Sequence, residues 1–360
     1  MNELDLFKEE AVAMIRSHAR EMEESGLVPQ EVLNYMYEHK LFKIYLPEVL
    51  GGTMLSLPEA LRLIEASSWV DGSFGWLVMI GAGGGFFCSL IPHEHNLKLF
   101  ANPQAVIAGS GHPSGIAKPV EDGYQVTGQW KFCSGSQYAS IFTANCLIET
   151  TASATQETPE IRAFIFTPEQ VRIIKDWKAF GLKATGSHSM AVDSVFVPHS
   201  MTFTYNEPYD NYNNLAFAYP FLQFAEATIS AVSIGICRHF IKAAKQFIVA
   251  LKPSWDKSKI GRFQSVMNQI EAAELGFQSI VADYYRILDA SWETLVQRQE
   301  ISAAELNEAS MICKKAAKAA LMCGQAIFPI LGIQAIMEHA AVNQIWRDLQ
   351  VVSQHSALAD

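Results

Sequence analysis

The sequence lacks the features that would assign it to several large classes of protein. It has no block rich in Lys and Arg and its formal net charge is −10, so a nucleic-acid backbone finds no electrostatic partner. The first residues are amphipathic and acidic rather than basic and then apolar. We therefore expect no nucleic-acid partner, no membrane span and no secretory signal.

Paired cysteines are also missing. The six cysteines lie far apart without a C-x-x-C pair, and most of them stand in apolar runs. This spacing is typical of reduced core thiols and predicts a cytoplasmic protein. A close histidine pair, His93 and His95, follows a proline without a further ligand set, so we expect a solvated turn there and no metal site.

The pattern of apolar residues changes twice along the 360-residue chain. Spacings of three and four predict helices first, then short alternating runs and an Asp122-Gly123 turn predict strands and a hairpin. Helical periodicity then returns, with breaks expected at Lys252-Pro253 and at 328–332, and a polar Asn/Tyr-rich loop at 205–214 precedes it. The predicted domains are residues 1–103, 104–213 and 214–360, in the order α, β, α.

One segment is a specific signature, in which a glycine-rich polar turn leads into an alternating strand that stops at a proline. Residues 180–198 read F-G-L-K-A-T-G-S-H-S-M-A-V-D-S-V-F-V-P. The pattern resembles the central β-domain of the acyl-CoA dehydrogenase superfamily, where it helps to enclose a flavin. The resemblance implies an α+β fold with an N-terminal helical domain, a central β-barrel-like domain and a C-terminal four-helix bundle.

Three further segments resemble the oxygenase branch of that superfamily. D-G-S-F-G-W at 71–76 is similar to a helix start of the oxygenases, and G-Q-W-K-F-C-S-G at 128–135 is similar to their G-x-W-x-F-[SC]-S-G. Residues 345–355, I-W-R-D-L-Q-V-V-S-Q-H, resemble the tail of two-component monooxygenases of the p-hydroxyphenylacetate hydroxylase and dibenzothiophene monooxygenase type. The resemblance implies a monooxygenase that uses reduced flavin and O2 to hydroxylate a small aromatic or hydrophobic substrate.

Site residues can be carried over by position. An isoalloxazine ring needs a flat apolar partner and hydrogen bonds at N5, O4 and its pyrimidine edge. The resemblance places Phe132 against the ring, Ser134 at N5 and O4, and residues 110–112 at the pyrimidine edge, and lets residues 185–187 close the flavin or substrate side. The cofactor contacts that it implies are Ser110, Gly111, His112, Phe132, Cys133, Ser134, Thr185, Ser187 and Arg347.

The terminal histidine of this branch stands near flavin C4a, a place that corresponds to His355. A C4a-hydroperoxide must be protonated and shielded from water, and a positioned imidazole can donate a hydrogen bond to it or hold it. His355 and Ser134 are therefore the expected catalytic residues.

Two other functions stay open. An acyl-CoA dehydrogenase needs a glutamate base, and the usual place of that base falls on Ala340. Glu226 would have to serve instead, with Glu338 as a weaker candidate, although an unpaired acid in so apolar a run would cost several kcal/mol. A non-catalytic member of the family would bind no flavin.

The cofactor form and the partners follow from the same resemblance. The two motifs with which dehydrogenases hold the adenosine end of FAD are not intact, so either FMN or FAD fits, supplied in reduced form by a separate flavin reductase. Family members assemble through the predicted bundle, and we expect a homodimer or homotetramer that binds a small-molecule substrate.

Overall fold

Helices make up the N-terminal region, as predicted. A computed structural model describes residues 6–149, 160–205, 212–258 and 260–359. Ser56 and Glu59 form a capping box at the start of the fourth helix, and the Asp71 side chain accepts from the Phe74 amide at the start of the fifth. The helices of this region are α1 (Glu9–Ser17), α2 (Ala19–Ser25), α3 (Gln30–Glu38), α4 (Leu57–Val70), α5 (Gly72–Gly83) and α6 (His93–Leu99).

The central region is a mixed sheet. Its order is β5-β6-β2-β1-β3-β4-β7, and β1 pairs with β3 in parallel while the other described pairs are antiparallel. The hairpin predicted at Asp122-Gly123 is confirmed, because Val120 pairs with Gly123 across it. The strands are β1 (Ile107–Val120), β2 (Gly123–Cys133), β3 (Ile141–Ile148), β4 (Ile161–Phe166), β5 (Arg172–Ile174), β6 (His188–Pro198) and β7 (Thr202–Phe203).

The β-barrel-like arrangement that the resemblance implied is not closed in the described strands. The edge strands β5 and β7 are three and two residues long and do not pair with each other. Strands this short carry no alternation that a sequence pattern could reveal, and neither was predicted. The loop expected at 205–214 lies mostly outside the described residues.

Long helices follow the sheet. They are α7 (Phe221–Ser258), α8 (Arg262–Arg298), α9 (Ala303–Ile327) and the shorter α10 (Ala341–Val352). The break predicted at Lys252-Pro253 is wrong, because α7 continues through Pro253. Proline holds φ near its helical value, so a long, well-packed helix can absorb the hydrogen bond that proline removes. The break predicted at 328–332 is confirmed, since α9 ends at Ile327.

The largest hydrophobic core joins α4, α5 and α7 to α10. Two helical segments in it, Gly72–Leu90 and Phe221–Trp255, are long and apolar enough to cross a membrane, yet 83% of the apolar window in each is buried inside the protein. Such burial is typical of core helices. The six cysteines are free and buried, which confirms that they are core thiols.

Candidate functional site

The end of β2 presents an aromatic ring to the surface. Phe132 has a φ of 67°, in the left-handed region that bulky residues avoid, and its side chain is 67% exposed. The register between β2 and β6 shifts between Trp130 and Cys133, which turns Phe132 out of the sheet. Trp177 meets it edge to face, with the ring centroids 6.2 Å apart. An exposed ring on strained backbone is a mark of a functional site.

Ser134, two residues further on, begins a buried line of hydroxyl groups. Trp76 Nε1 donates a hydrogen bond to Ser134 Oγ at 2.9 Å. The hydroxyl oxygens of Ser134 and Ser187 lie 2.7 Å apart, as do those of Ser187 and Thr185, and Thr185 Oγ1 lies 2.7 Å from the carbonyl oxygen of Leu182. We call Ser134, Ser187 and Thr185 the hydroxyl chain. It brings together three residues that the sequence placed at the cofactor.

Cys133 lies between Phe132 and Ser134 but points into the sheet. Its thiol packs in the core of the strands, and burial raises its pKa to about 12. The side chain therefore faces away from the Phe132 ring, and only the backbone of Cys133 can contribute to the cofactor contact that the resemblance implied.

Residues 110–112 lie where β1 departs from regular pairing. The register of β1 on β3 shifts between Ser110 and Gly115, which leaves Gly111 and His112 exposed. The side-chain amide of Asn145 donates to the Gly111 carbonyl at 2.8 Å. The backbone carbonyl of Asn145 accepts from Trp130 Nε1, also at 2.8 Å. The loop is thereby tied to β2, the strand that leads to Phe132.

The loop before β6 is held by a second set of contacts. The Trp177 amide donates to His188 Nδ1 at 3.0 Å, and the Trp177 indole donates to the Leu182 carbonyl at 3.1 Å. Asp176 accepts from the amide and the hydroxyl of Ser189. These bonds fix the ring of Trp177 beside Phe132.

Helix α10 locks onto the same loop. The Asp348 carboxylate accepts from the Leu182 amide at 2.5 Å, and Arg347 donates to Glu23, to Asn343 and to the Phe180 carbonyl. These bonds tie Arg347 to α2 and to the loop before β6, and the cofactor contact that the resemblance implied for it stays a prediction.

The close approach of α10 explains Gly181. A Cβ atom there would lie 2.5 Å from the carbonyl carbon and oxygen of Arg347, closer than side chains ever come. Gly181→Ala should therefore push the loop from α10 and lower the free energy of unfolding by about 1–3 kcal/mol, measured by urea denaturation. Gly276→Ala on exposed α8, where a Cβ meets no neighbour, is the control and should be neutral or slightly stabilising. Equal effects of the two changes would contradict the steric explanation.

His355 reaches the site from the end of α10. Its Nδ1 accepts from the Ala357 amide at 3.2 Å, so the neutral ring carries its proton on Nε2. Burial lowers the pKa of the imidazole below its ordinary value of 6.5, which keeps it neutral at pH 7. The ring centroid lies 5.7 Å from that of Trp76, the residue bonded to Ser134. Trp76 therefore connects the two residues that the sequence predicted to be catalytic.

Glu226 takes a different position. It is buried on α7 near Cys313 of α9, and within the described residues its Oε2 has no hydrogen-bond partner. No hydrogen bond in that part of the chain links it to Ser134, Trp76 or His355. The usual place of the dehydrogenase base holds the buried Ala340, and Glu338 is exposed.

A basic groove of about 1430 Å³ opens beside Trp177 and His188. It runs between α2, the loop before β6 and the start of α10, and we define it by its cations. The cations are Arg16, Arg20, Lys175, Lys178, Lys183 and Arg347, and they outnumber the three acidic residues of the lining, Glu23, Glu24 and Glu338. Positive charge beside an exposed ring suits a ligand with an aromatic end and a phosphate end.

Sequence reasoning included Trp76 only as part of the motif at 71–76, and did not single out Trp177. The helix-start motif at 71–76 contains Trp76 and was the available signal. Trp177 lies outside every motif, so its position against Phe132 needed the structure. In the described residues no group of three or more His, Cys, Asp or Glu side chains could hold a metal ion.

Comparison with known families agrees with this geometry. Residues 4–93 match the acyl-CoA dehydrogenase N-terminal domain, and residues 227–360 match the acyl-CoA dehydrogenase C-terminal domain. The chain belongs to the acyl-CoA dehydrogenase family. Indole-3-acetate monooxygenases from Acinetobacter baumannii and Pseudomonas putida are each 26% identical to it, with 96% of this chain and 88% of the relative covered. Both relatives are named as monooxygenases.

Solved structures share the acyl-CoA dehydrogenase fold. The 3-HSA hydroxylase from Rhodococcus sp. RHA1 has a TM-score of 0.86 at 21% identity, covering 99% of this chain and 92% of that one. XiaF from Streptomyces sp., in complex with FADH2 and glycerol, has a TM-score of 0.81 at 17% identity, with 97% and 91% covered. TdsC from Paenibacillus sp. A11-2, with FMN and indole, has a TM-score of 0.71 at 17% identity, with 98% and 92% covered.

Proposed function

We propose that this protein is the oxygenase component of a two-component, reduced-flavin-dependent monooxygenase that hydroxylates a small aromatic or hydrophobic substrate. The observation that carries the proposal is the exposed, strained Phe132 ring two residues from the buried Ser134 hydroxyl, which accepts a hydrogen bond from Trp76, the ring on which His355 packs. The relatives named as monooxygenases support it.

The residues present fit a flavin. Phe132 offers an apolar face, Ser134 a polar group two residues away, and the basic groove a place for the phosphate end of FMN or FAD. When bound, a reduced flavin supplies the electrons that activate O2. The proposal takes either FMN or FAD as the flavin, and it is supported by the FADH2 and the FMN that are bound in the structures of XiaF and TdsC.

His355 provides the hydrogen-bond donor. Because Nδ1 is occupied by the Ala357 amide, the free Nε2–H is the group that can donate or hold a proton. The imidazole packs on the buried Trp76, and a binding site that excludes water strengthens such a hydrogen bond.

A cluster of aromatic side chains supports the proposal that the substrate is aromatic. Phe86 packs on Phe217, Phe221 and Phe224 with ring centroids 4.9–5.8 Å apart, and Phe87 packs on Tyr205 and Phe221 at 5.9 and 5.5 Å. Phe86 and Phe87 follow directly after α5, which carries Trp76. We define the aromatic wall as Phe86, Phe87, Tyr205, Phe217, Phe221 and Phe224.

Assembly and location are part of the proposal. Exposed apolar side chains on α8 and α9, among them Leu275, Met311 and Met322, support a homodimer or homotetramer formed through a C-terminal four-helix bundle. We also propose domain boundaries after residues 103 and 213, a separate flavin reductase as the partner, and a cytoplasmic location. The buried free thiols support that reducing compartment.

Anaerobic titration with reduced FMN and reduced FAD, followed by mixing with oxygen and an aromatic acid such as indole-3-acetate, tests the function. Flavin binding and hydroxylated product would support it. Tight binding of oxidised FAD that an acyl-CoA bleaches would instead establish a dehydrogenase, with Glu226 as the base to examine. Absence of any flavin binding would indicate a non-catalytic member.

Ser134→Ala should weaken flavin binding about tenfold, since one hydrogen bond to the ring is lost in a buried site. The dissociation constant is measured by quenching of flavin fluorescence. Ser136→Ala is a matched control, because Ser136 is equally buried but bonds to the Gly186 carbonyl outside the hydroxyl chain. Unchanged affinity in Ser134→Ala would remove Ser134 from the flavin site.

A further inference from the structure

The hydroxyl chain has a countable number of protons. Ser134, Ser187 and Thr185 each carry one hydroxyl proton, and the Trp76 indole N–H can only donate. Two hydrogen bonds link the three hydroxyl groups, so only one proton is left for a bond at either end. Whether that proton lies at Thr185 or at Ser134 decides what Ser134 can offer to a ligand.

The inward direction places the spare proton at Thr185. Ser134 donates to Ser187, Ser187 donates to Thr185, and Thr185 donates to the Leu182 carbonyl. Ser134 has then used its only proton. Toward a ligand it can only accept a hydrogen bond.

The outward direction reverses every bond. Thr185 donates to Ser187, Ser187 donates to Ser134, and the Ser134 proton is free to point at a ligand. The Leu182 carbonyl does not become unpaired, because the Trp177 indole and the Thr185 amide still donate to it at 3.1 and 3.2 Å. Both directions therefore satisfy this buried carbonyl, and the change needs only rotation of hydroxyl protons.

This property matches a feature of flavin chemistry. N5 carries a proton in the reduced ring and donates a hydrogen bond, whereas in the oxidised ring it carries none and accepts one. A hydroxyl fixed in one direction would suit one redox state and oppose the other. An oxygenase supplied by a separate reductase meets both states in every turnover.

We propose that Ser187 and Thr185 are positioning residues that let Ser134 accept from N5–H of reduced flavin and donate to N5 of oxidised flavin. The inference rests on the proposed function, since it assumes that Ser134 faces N5. It assigns to Ser187 and Thr185 a role in balancing affinity for the two redox states. No contact of their own with the flavin is required.

Thr185→Val tests the assignment because valine keeps the shape and removes the hydroxyl. Ser187 then has no acceptor at residue 185, so the inward direction leaves a buried donor unpaired and is disfavoured. Binding of reduced flavin should weaken while binding of oxidised flavin holds. We expect the ratio of the dissociation constants, reduced over oxidised, to rise roughly three- to tenfold.

The measurement uses FMN as the probe, titrated anaerobically in its reduced form and aerobically in its oxidised form. Thr185→Ser retains the hydroxyl and should restore the wild-type ratio. Ser187→Ala should likewise raise the ratio, since it removes the acceptor for the Ser134 proton itself. Ser136→Ala controls for general loosening of the loop and should leave the ratio unchanged.

The outcomes separate the two levels of proposal. Equal weakening of both redox states in Thr185→Val and Ser187→Ala would show a structural role alone and overturn the inference, as would an unchanged ratio in folded protein. A wild-type protein that binds neither FMN nor FAD in either redox state would instead overturn the proposed function. Circular dichroism of each variant establishes that it is folded before titration.

Discussion

His355→Ala should lower the rate of hydroxylation roughly 100-fold, with reduced flavin still consumed and hydrogen peroxide released in place of product. The reason is the single N–H of this neutral imidazole, which lies on Nε2 because Nδ1 already accepts from the Ala357 amide. Product formed and peroxide released per flavin oxidised are the quantities to measure. Binding of the flavin itself should change little, because the ring of His355 packs on Trp76.

His39→Ala is a suitable control for that experiment. His39 is exposed, stacks on Tyr35 at the end of α3 and lies outside the site. A ratio of product to peroxide that stays at the wild-type value in His355→Ala would remove His355 from the proposed chemistry. Because burial keeps the imidazole neutral, the wild-type ratio should also be constant between pH 7 and pH 8.

Asp348→Ala should lower the free energy of unfolding by about 2–3 kcal/mol, since it leaves the buried Leu182 amide without an acceptor. Asp348→Asn keeps an oxygen in that place and should cost much less. Urea denaturation of the two variants measures the difference. Equal losses would mean that the bond to Leu182 contributes nothing.

The wild type and Asp348→Asn should also differ in how their stability depends on pH. Burial raises the pKa of Asp348 well above its ordinary value of 3.8, with the nearby Asp71 carboxylate adding to the shift. The folded state therefore holds a proton that the unfolded state releases, so stability falls as pH rises from about 4 to the folded pKa. Asp348→Asn has no such proton, and its stability relative to the wild type should increase over that range. A difference that is constant with pH would contradict the raised pKa.

The sequence predicted the α, β, α order and most strands because long periodic segments carry a strong signal. It also placed Phe132, Ser134, Thr185 and Ser187 near one another by motif alone. It could not show that their hydroxyl groups form one line, because that depends on how the turn at residues 185–187 folds back on the end of β2. Side-chain direction at Cys133 likewise followed from a register shift that no local pattern encodes.

Arg347 shows a second limit. The W-R-D motif resembled that of the oxygenases, but a motif gives the residue type and not its partners. In the folded protein the arginine meets Glu23, more than 300 positions away in the chain, and the Phe180 carbonyl. Pro253 is a similar case. The local sequence predicted that the helix would end there, but α7 continues through the proline because the rest of this long helix is held by packing.

The aromatic wall and the hydroxyl chain come from different segments of the polypeptide. Residues of the wall lie in the turn after α5, the segment after β7 and the start of α7, whereas the hydroxyl chain lies at the end of β2 and the start of β6. Under the proposed function, substitutions at Phe87 or Phe221 should therefore change the choice of substrate without changing the hydroxyl chain. Because the two sets of residues lie in different segments, the same fold can change its substrate preference through substitutions at a few aromatic positions.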